Sequence, residues 1–254
     1  MQGKLWGAAA QDWIDNEKFC VPLYEAVFDA VSLGEGTRML DMGCGAGLGL
    51  QMAAGRGAAV TGIDASDGLL GIARQRLPEV DLRQGDVEEL PYDDGAFDLV
   101  TSFNAVQFAA DPVAALAEAK RVAVPGAKVA IVTWGELEHC DIRWILGALS
   151  GLLPPPPPGA EGPFALSAPG RLEGLAEKAG LTPERSADVA APFTFANLDE
   201  ALRIQMSAGP LQRAIEVAGR EATSQVVAEA FGQALQPDGT YRLENEFRYL
   251  ITRA

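Results

Sequence analysis

The chain is poor in the residues that metal centres, disulfide frameworks and polyanion-binding surfaces require. It has one histidine, His139, and three cysteines, Cys20, Cys44 and Cys140. The cysteines are widely spaced, odd in number and form no Cys-x-x-Cys pair, so no disulfide framework or metal site is expected. This usage fits a reducing compartment. Basic residues are also scarce. Lys and Arg total 20 against 35 Asp and Glu, leaving a net charge of −15. That balance disfavours nucleic acids and anionic membrane surfaces as partners. No apolar run approaches the length of a membrane span, and Met1 to Asp15 lacks the apolar centre of a signal peptide. The expectation is a cytoplasmic protein without a membrane span.

What is present suits a folded enzyme-sized domain. Hydrophobic residues make up 48% of 254 residues, enough for a sizeable core without cross-links. Residues 17–32 carry helical periodicity, with Val21, Tyr24, Phe28 and Val31 on one face. Strands are expected at Thr37 to Met42, Ala58 to Ile63, Val80 to Arg83, Phe97 to Phe103 and Lys128 to Trp134. Helix-compatible stretches separate most of them: Leu48 to Arg56, Ser66 to Arg76 and Asp111 to Val124. This alternation predicts a parallel α/β sheet with helices on both faces. Ligands of such sheets bind beyond the carboxyl ends of the strands, where Asp41, Asp64, Asp86 and Asn104 stand. Farther on, Pro154 to Pro158 predicts a polyproline II spacer, and Pro169 to Ala179 a helix. Two or three helices follow over 198–235, interrupted at Gly209-Pro210. Tyr241, Leu243, Phe247, Tyr249 and Ile251 alternate as one long final strand.

The strongest local signal is Asp41-Met42-Gly43-Cys44-Gly45-Ala46-Gly47. A strand ends, glycines allow close approach of the backbone to a ligand, and a helix begins with free N–H groups and a positive dipole end. Asp64 closes the next strand, 17 residues after Gly47, where it can accept hydrogen bonds from ribose hydroxyls. The dinucleotide pattern Gly-x-Gly-x-x-Gly fails here, because its sixth position is Leu48 or Leu50. The spacing that fits is acid-x-Gly-x-Gly-x-Gly. Cys44 reads as a small loop-filler, and Asp93-Asp94 as a solvated turn.

Together with Gly62-Ile63-Asp64, Gly85 to Tyr92 and Phe97-Asp98-Leu99-Val100, this segment resembles the class I S-adenosylmethionine-dependent methyltransferases. The similarity is to the subgroup of ubiquinone/menaquinone-biosynthesis-like and small-molecule enzymes, and covers about residues 36–134. It implies a seven-stranded, mostly parallel, Rossmann-like sheet with an antiparallel final strand and helical cap insertions. Residues 1–134 would hold N-terminal helices and the cofactor half, 135–168 an insertion with the proline run, and 169–196 a return to the sheet. Residues 197–236 would form the cap, and 237–254 the last strand. The cofactor implied is S-adenosyl-L-methionine. Gly43, Cys44 and Gly45 would meet its methionine part through backbone, with Asp41 bracing the loop or reaching the amino group through water. Asp64 would take the ribose, Ala65 and Leu69 the adenine face, and Asp86 and Val87 the adenine edge. Asn104 would lie near the methionine end and Gln107 would face the transferred methyl. Trp13, and after it Trp6, are candidates to close the site. One departure from the family pattern is Val124-Pro125-Gly126-Ala127 in place of the usual Lys-Pro-Gly-Gly turn.

Methyl transfer by in-line displacement would leave S-adenosylhomocysteine. The methyl acceptor expected is a small apolar or aromatic metabolite. Phe164, Phe193, Phe195 and Met206 are pocket candidates that serve equally well as core, whereas Trp134 and Trp144 read as core ahead of substrate wall. His139 is the available candidate base. Two other classes remain open at this level: an S-adenosylmethionine-binding protein with a different reaction or a sensing role, and, more remotely, a nicotinamide-dependent oxidoreductase.

Overall fold

Apolar residues in adjacent positions of the central strands face opposite ways, and the structure, a computed structural model, places them in two separate cores. It describes residues 2–155 and 162–254. In chain order these form α1 (Gln2–Gly7), α2 (Ala10–Asn16), a 3-10 turn at Glu17–Cys20, α3 (Val21–Val31), β1 (Arg38–Met42), α4 (Leu48–Gly55), β2 (Ala59–Asp64) and α5 (Asp67–Arg76). There follow β3 (Asp81–Gln84), β4 (Phe97–Phe103), α6 (Pro112–Val122), β5 (Ala123–Trp134), α7 (Ile142–Ala148) and α8 (Arg171–Lys178). The chain continues through β6 (Thr182–Ala190), β7 (Phe193–Phe195), α9 (Leu198–Gln205), α10 (Gly209–Ala218), α11 (Arg220–Phe231), β8 (Tyr241–Leu243) and β9 (Glu246–Arg253). Pro156 to Pro158 of the expected polyproline spacer lie outside the described residues.

Seven strands form one sheet in the order β3-β2-β1-β4-β5-β9-β6. Strands β1 to β5 pair in parallel, and β9 runs antiparallel to both of its neighbours. Met39, Leu99, Ala130 and Val132 face a core shared with α3 and α4. Leu40, Val100, Val129 and Ile131 face the other, shared with α6 and α8. Coverage on both faces explains the nearly continuous apolar runs of these strands. Helix starts are chemically specified: Ser66 Oγ accepts from Leu69 N–H, and Asp111 accepts from Val113 and Ala114 N–H. The order reverses at β1, which lies between β2 and β4, so a crevice opens at the carboxyl end of the sheet there.

Four details differ from the sequence expectations. The helix expected over 17–32 is a 3-10 turn followed by α3. The Pro125-Gly126 turn lies within β5: the register against β4 jumps between Phe97↔Ala123 and Leu99↔Lys128, with Gly126 at φ +81°. Gly209-Pro210 opens α10 rather than interrupting a helix. The long final strand divides into β8, which pairs with β7 in a small second sheet, and β9 of the main sheet.

Asn245 causes that division. It is 2% exposed, its Oδ1 accepts from Ile142 N–H at the start of α7 at 3.0 Å, and its carbonyl accepts from Ala191 N–H at 2.8 Å. Both bonds turn the chain out of one sheet and into the other. Asn245→Ala leaves the buried Ile142 N–H unpaired and is expected to cost about 1–3 kcal/mol, measured by urea unfolding of the two proteins.

Candidate active site

The crevice holds a cavity of about 1000 Å³. Its floor is made by the carboxyl ends of β1, β2, β3 and β4, which bring Asp41, Asp64, Gly85, Asp86 and Asn104 to one space. Its roof comes from elsewhere in the chain: α1, α2 and the 3-10 turn on one side, and the α9–α10 corner on the other.

The glycine loop is shaped by its backbone. Gly43, Gly45 and Gly47 have φ of +81°, +54° and +83°, values that glycine adopts freely and that cost residues with a side chain. Gly43 is also sterically obligatory, because a Cβ there would lie 2.3 Å from that of Ala105. Asp64 holds the loop in place. Its Oδ2 accepts from Gly45 N–H at 2.8 Å and its Oδ1 from Ser66 N–H at 2.7 Å. Burial raises its carboxyl above the usual range, opposed by these two donors. Each oxygen keeps a second lone pair for a ligand hydroxyl.

Asp41 lies under the loop, 3% exposed, with Thr101 Oγ1 donating to its Oδ1 at 2.8 Å. Burial, with a smaller contribution from the Asp64 charge, pushes its carboxyl from the ordinary 3.8 to about 7, against the Thr101 hydrogen bond. The protonated form is therefore favoured in the folded chain until the pH passes about 7. A cation placed beside Asp41 reverses that preference and draws the proton off.

Asn104 has φ +56°, a strained left-handed conformation for a residue with a side chain. Its Oδ1 accepts from Gln107 Nε2 at 3.0 Å, and Gln107 Oε1 is buried with no hydrogen-bond partner. Asp86 is exposed at the cavity edge and its Oδ1 accepts from Glu88 N–H. Ala65, Leu69 and Val87 line the same space. Cys44 is buried, and burial raises its thiol far above the usual value, which fits a filler and not a nucleophile.

Trp13 stands over the loop: a Cβ added at Gly45 would lie 3.6 Å from its indole nitrogen. Trp6 meets Trp13 edge-on at 4.9 Å and Phe108 at 5.3 Å. Sequence reasoning named Trp13, Trp6, the N-terminal helix region and the helices of 198–235 for this side of the site, but not the contacts that hold the roof in place. Gly3 and Gly7 of α1 fit closely against Ala65, Ser66 and Gly68 at the start of α5. Glu17, nearly fully buried, pairs with Arg76 at 2.7 Å, and Arg76 also donates to the Ala46 carbonyl of the loop. Asn16 Nδ2 donates to the Ile204 carbonyl at 3.1 Å. The available signal was the Gly3-x-x-x-Gly7 spacing, which permits close helix packing.

Of the pocket candidates, Phe193 and Trp134 line the cavity, with Phe247 beside them. Trp134 and Phe247 are register partners on β5 and β9 and stack at 4.2 Å. Phe195 and Met206 are buried in the core, and neither they nor Phe164 and Trp144 are among the lining residues. His139 lies on an exposed 3-10 turn and is not one of the lining residues; it stands 3.1 Å from Glu246, whose carboxylate raises its affinity for a proton. Among the described residues, no three His, Cys, Asp or Glu side chains cluster to hold a metal ion, and no helix is long and apolar enough to cross a membrane.

This arrangement is that of a class I S-adenosylmethionine-dependent methyltransferase fold, and comparison with known proteins agrees. Residues 40–131 match the family model described as "Methyltransferase domain". The chain is 33% identical over 191 residues to the ubiquinone biosynthesis O-methyltransferase of Dechloromonas aromatica, covering 70% of this chain and 82% of that protein. It is 38% identical to the enzyme of that name from Alkalilimnicola ehrlichii over 58% of this chain, spanning 65% of that protein's length. A demethylmenaquinone methyltransferase from Renibacterium salmoninarum is 33% identical over 50% of this chain and 55% of its own. Among solved structures, an S-adenosylmethionine-dependent methyltransferase from Aquifex aeolicus superposes with a TM-score of 0.56 at 21% identity, covering 72% of this chain and 92% of that one. The [4+2]-cyclase SpnF gives 0.59 at 22% identity, over 91% and 80%, so the shared fold alone does not set the reaction. The chain belongs to the class I S-adenosylmethionine-dependent methyltransferases, a family whose methyl donor is S-adenosylmethionine.

The residues present fit that donor. Left-handed glycines open the loop, a braced carboxylate keeps lone pairs free, and an apolar ledge at Ala65 and Leu69 lies beside it. The cation preference of Asp41 yields a pH test. Affinity for S-adenosylhomocysteine, whose amino group is cationic near neutrality, should fall by up to about tenfold per pH unit below about 7. In Asp41→Asn the profile between pH 5.5 and 8 should be flat. Calorimetric titration across that range measures both.

Proposed function

We propose that this chain transfers a methyl group to a small, neutral, apolar or aromatic acceptor in the cytoplasm, by in-line displacement that leaves S-adenosylhomocysteine. The observation that carries this reading is the continuity of one cavity from the glycine loop to the aromatic wall of Trp134, Phe193 and Phe247. The relatives act, by their names, in ubiquinone and menaquinone biosynthesis, which supports an aromatic acceptor. The net charge of −15 supports a small molecule over nucleic acid.

When bound, S-adenosylmethionine supplies an already activated methyl group. The work of the chain is therefore positioning, and aligning two reactants can supply roughly 7–11 kcal/mol of a barrier. In this reading Gly43, Cys44 and Gly45 hold the methionine part through backbone, and Asp64 takes the ribose hydroxyls. Ala65 and Leu69 flank the adenine, with Asp86 and Val87 at its edge. Asn104 holds Gln107 so that the free Oε1 meets the acceptor side, where it orients a hydroxyl without needing to remove its proton fully. Trp13 and Trp6 close the roof and exclude water. His139 is given no role in catalysis, because it lies on an exposed turn and is not among the residues that line the cavity.

Two measurements test this together. Titration with S-adenosylhomocysteine should show binding that weakens about 100-fold or more in Asp64→Ala, as expected for loss of charged hydrogen bonds to two hydroxyls. Incubation with S-adenosylmethionine and neutral phenols should release S-adenosylhomocysteine. Equal binding by the variant, or methylation confined to nucleic acid or protein, would overturn the assignment.

A further inference from the structure

Among the described residues, two atoms of the cavity lining are buried without a hydrogen-bond partner, Gln107 Oε1 and Gln205 Nε2. Gln107 belongs to the loop after β4 and is already placed. Gln205 stands at the last turn of α9, outside every motif of the cofactor half. It is 2% exposed, and a buried amide donor with no partner is unfavourable. Its polar neighbours are occupied with one another. Asn16 donates to the Ile204 carbonyl and Ser207 Oγ, Ser207 Oγ donates to the Ile204 carbonyl, and Gln212 Nε2 donates to the Met206 carbonyl. The corner is rigidly built, and Gln205 is the member left open.

The surroundings restrict what completes it. Among the described lining residues are the carboxylates of Glu17, Asp41, Asp64, Asp86 and Glu88 and the guanidinium of Arg171. Glu17 is paired with Arg76 and Asp41 favours its protonated form below about pH 7, so the excess of carboxylates rests on Asp64, Asp86 and Glu88. An anionic acceptor meets repulsion there, whereas a neutral oxygen meets an amide. Trp134 and Phe247 stack on each other with Phe193 tilted against both, and their edges give this end of the cavity an apolar wall.

We propose that Gln205 selects and orients the methyl acceptor, its side-chain amide hydrogen-bonding a neutral hydroxyl or carbonyl oxygen of a planar apolar molecule seated against Trp134, Phe193 and Phe247. This rests on the reading of the cavity as a methyl-transfer site. Specificity then lies in the cap rather than in the glycine loop. A site that hydrogen-bonds a ligand oxygen also discriminates strongly against the analogue lacking it.

Equilibrium dialysis of the full chain, saturated with S-adenosylhomocysteine, tests the proposal with three probes: 2-naphthol, naphthalene and 2-naphthoate. The native chain should bind 2-naphthol more tightly than either of the others. Gln205→Met, close in size and without the amide, should weaken 2-naphthol about tenfold. It should leave naphthalene and S-adenosylhomocysteine affinities unchanged. Gln205→Glu, a second variant of similar shape, should weaken 2-naphthoate further. An unchanged ratio of 2-naphthol to naphthalene affinity in Gln205→Met would overturn the proposal. So would 2-naphthoate binding as tightly as 2-naphthol, or no 2-naphthol binding by a chain that holds S-adenosylhomocysteine. Failure to bind S-adenosylhomocysteine at all would instead overturn the cofactor reading on which the proposal stands.

Discussion

The site depends on one carboxylate. Asp64 ends β2 and accepts from Gly45 N–H on one oxygen and from Ser66 N–H on the other. The first bond ties the β1–α4 loop to the neighbouring strand; the second orders the entry to α5. Parallel pairing of β1 with β2, Asp41 opposite Gly62, brings the two strand ends level so that this reach is possible. The loop itself is a run of left-handed glycines, which are costly to order. A carboxylate acceptor fixed by the sheet offsets that cost, together with Gly43 and Cys44 N–H donating to the Ile63 carbonyl, and leaves the loop preformed beside the cavity.

The roof is built on the same logic from distant parts of the chain. Glu17 and Arg76 form a buried ion pair, and Arg76 extends it to the Ala46 carbonyl in the glycine loop. Removing one partner of such a pair leaves the other charge largely buried and unpaired, so the N-terminal segment is coupled electrostatically to the loop that it covers. Steric fit completes the closure, with Gly3 and Gly7 against α5 and Gly209 beneath the indole of Trp6. Arg203 adds ion pairs from α9 to Asp12 and Asp15. The cavity is thus a joint product of the sheet, the N-terminal helices and the cap.

Much of this was legible in the sequence, for identifiable reasons. Strands β1 to β5 are short apolar runs between turn residues, and the acids at their ends stand where a parallel sheet places ligand groups. The break before β9 was missed although a signal existed: Asn245 occupies the in-phase position of the alternation from Tyr241 to Ile251, where an apolar residue would continue a strand. Strand β6, Thr182–Ala190, carries no such pattern, since it is an edge strand with Pro183 and mostly exposed residues, and only the family resemblance led back to the sheet there. Gln205 was illegible because its importance lies in a missing partner, which is a property of the packed cap. His139 drew attention as the sole histidine, yet rarity in composition says nothing about proximity to a cavity.

The most direct measurement is hydrogen exchange at the Gly45 amide, followed by nuclear magnetic resonance in the ligand-free chain and in Asp64→Ala. If Asp64 braces the loop, this amide exchanges slowly in the native protein and at least about 100-fold faster in the variant, while amides in the centre of β4 and β5 are unaffected. Equal exchange at Gly45 in both proteins would contradict the account, because the glycine loop would then hold its shape without the carboxylate from which the rest of the site is argued.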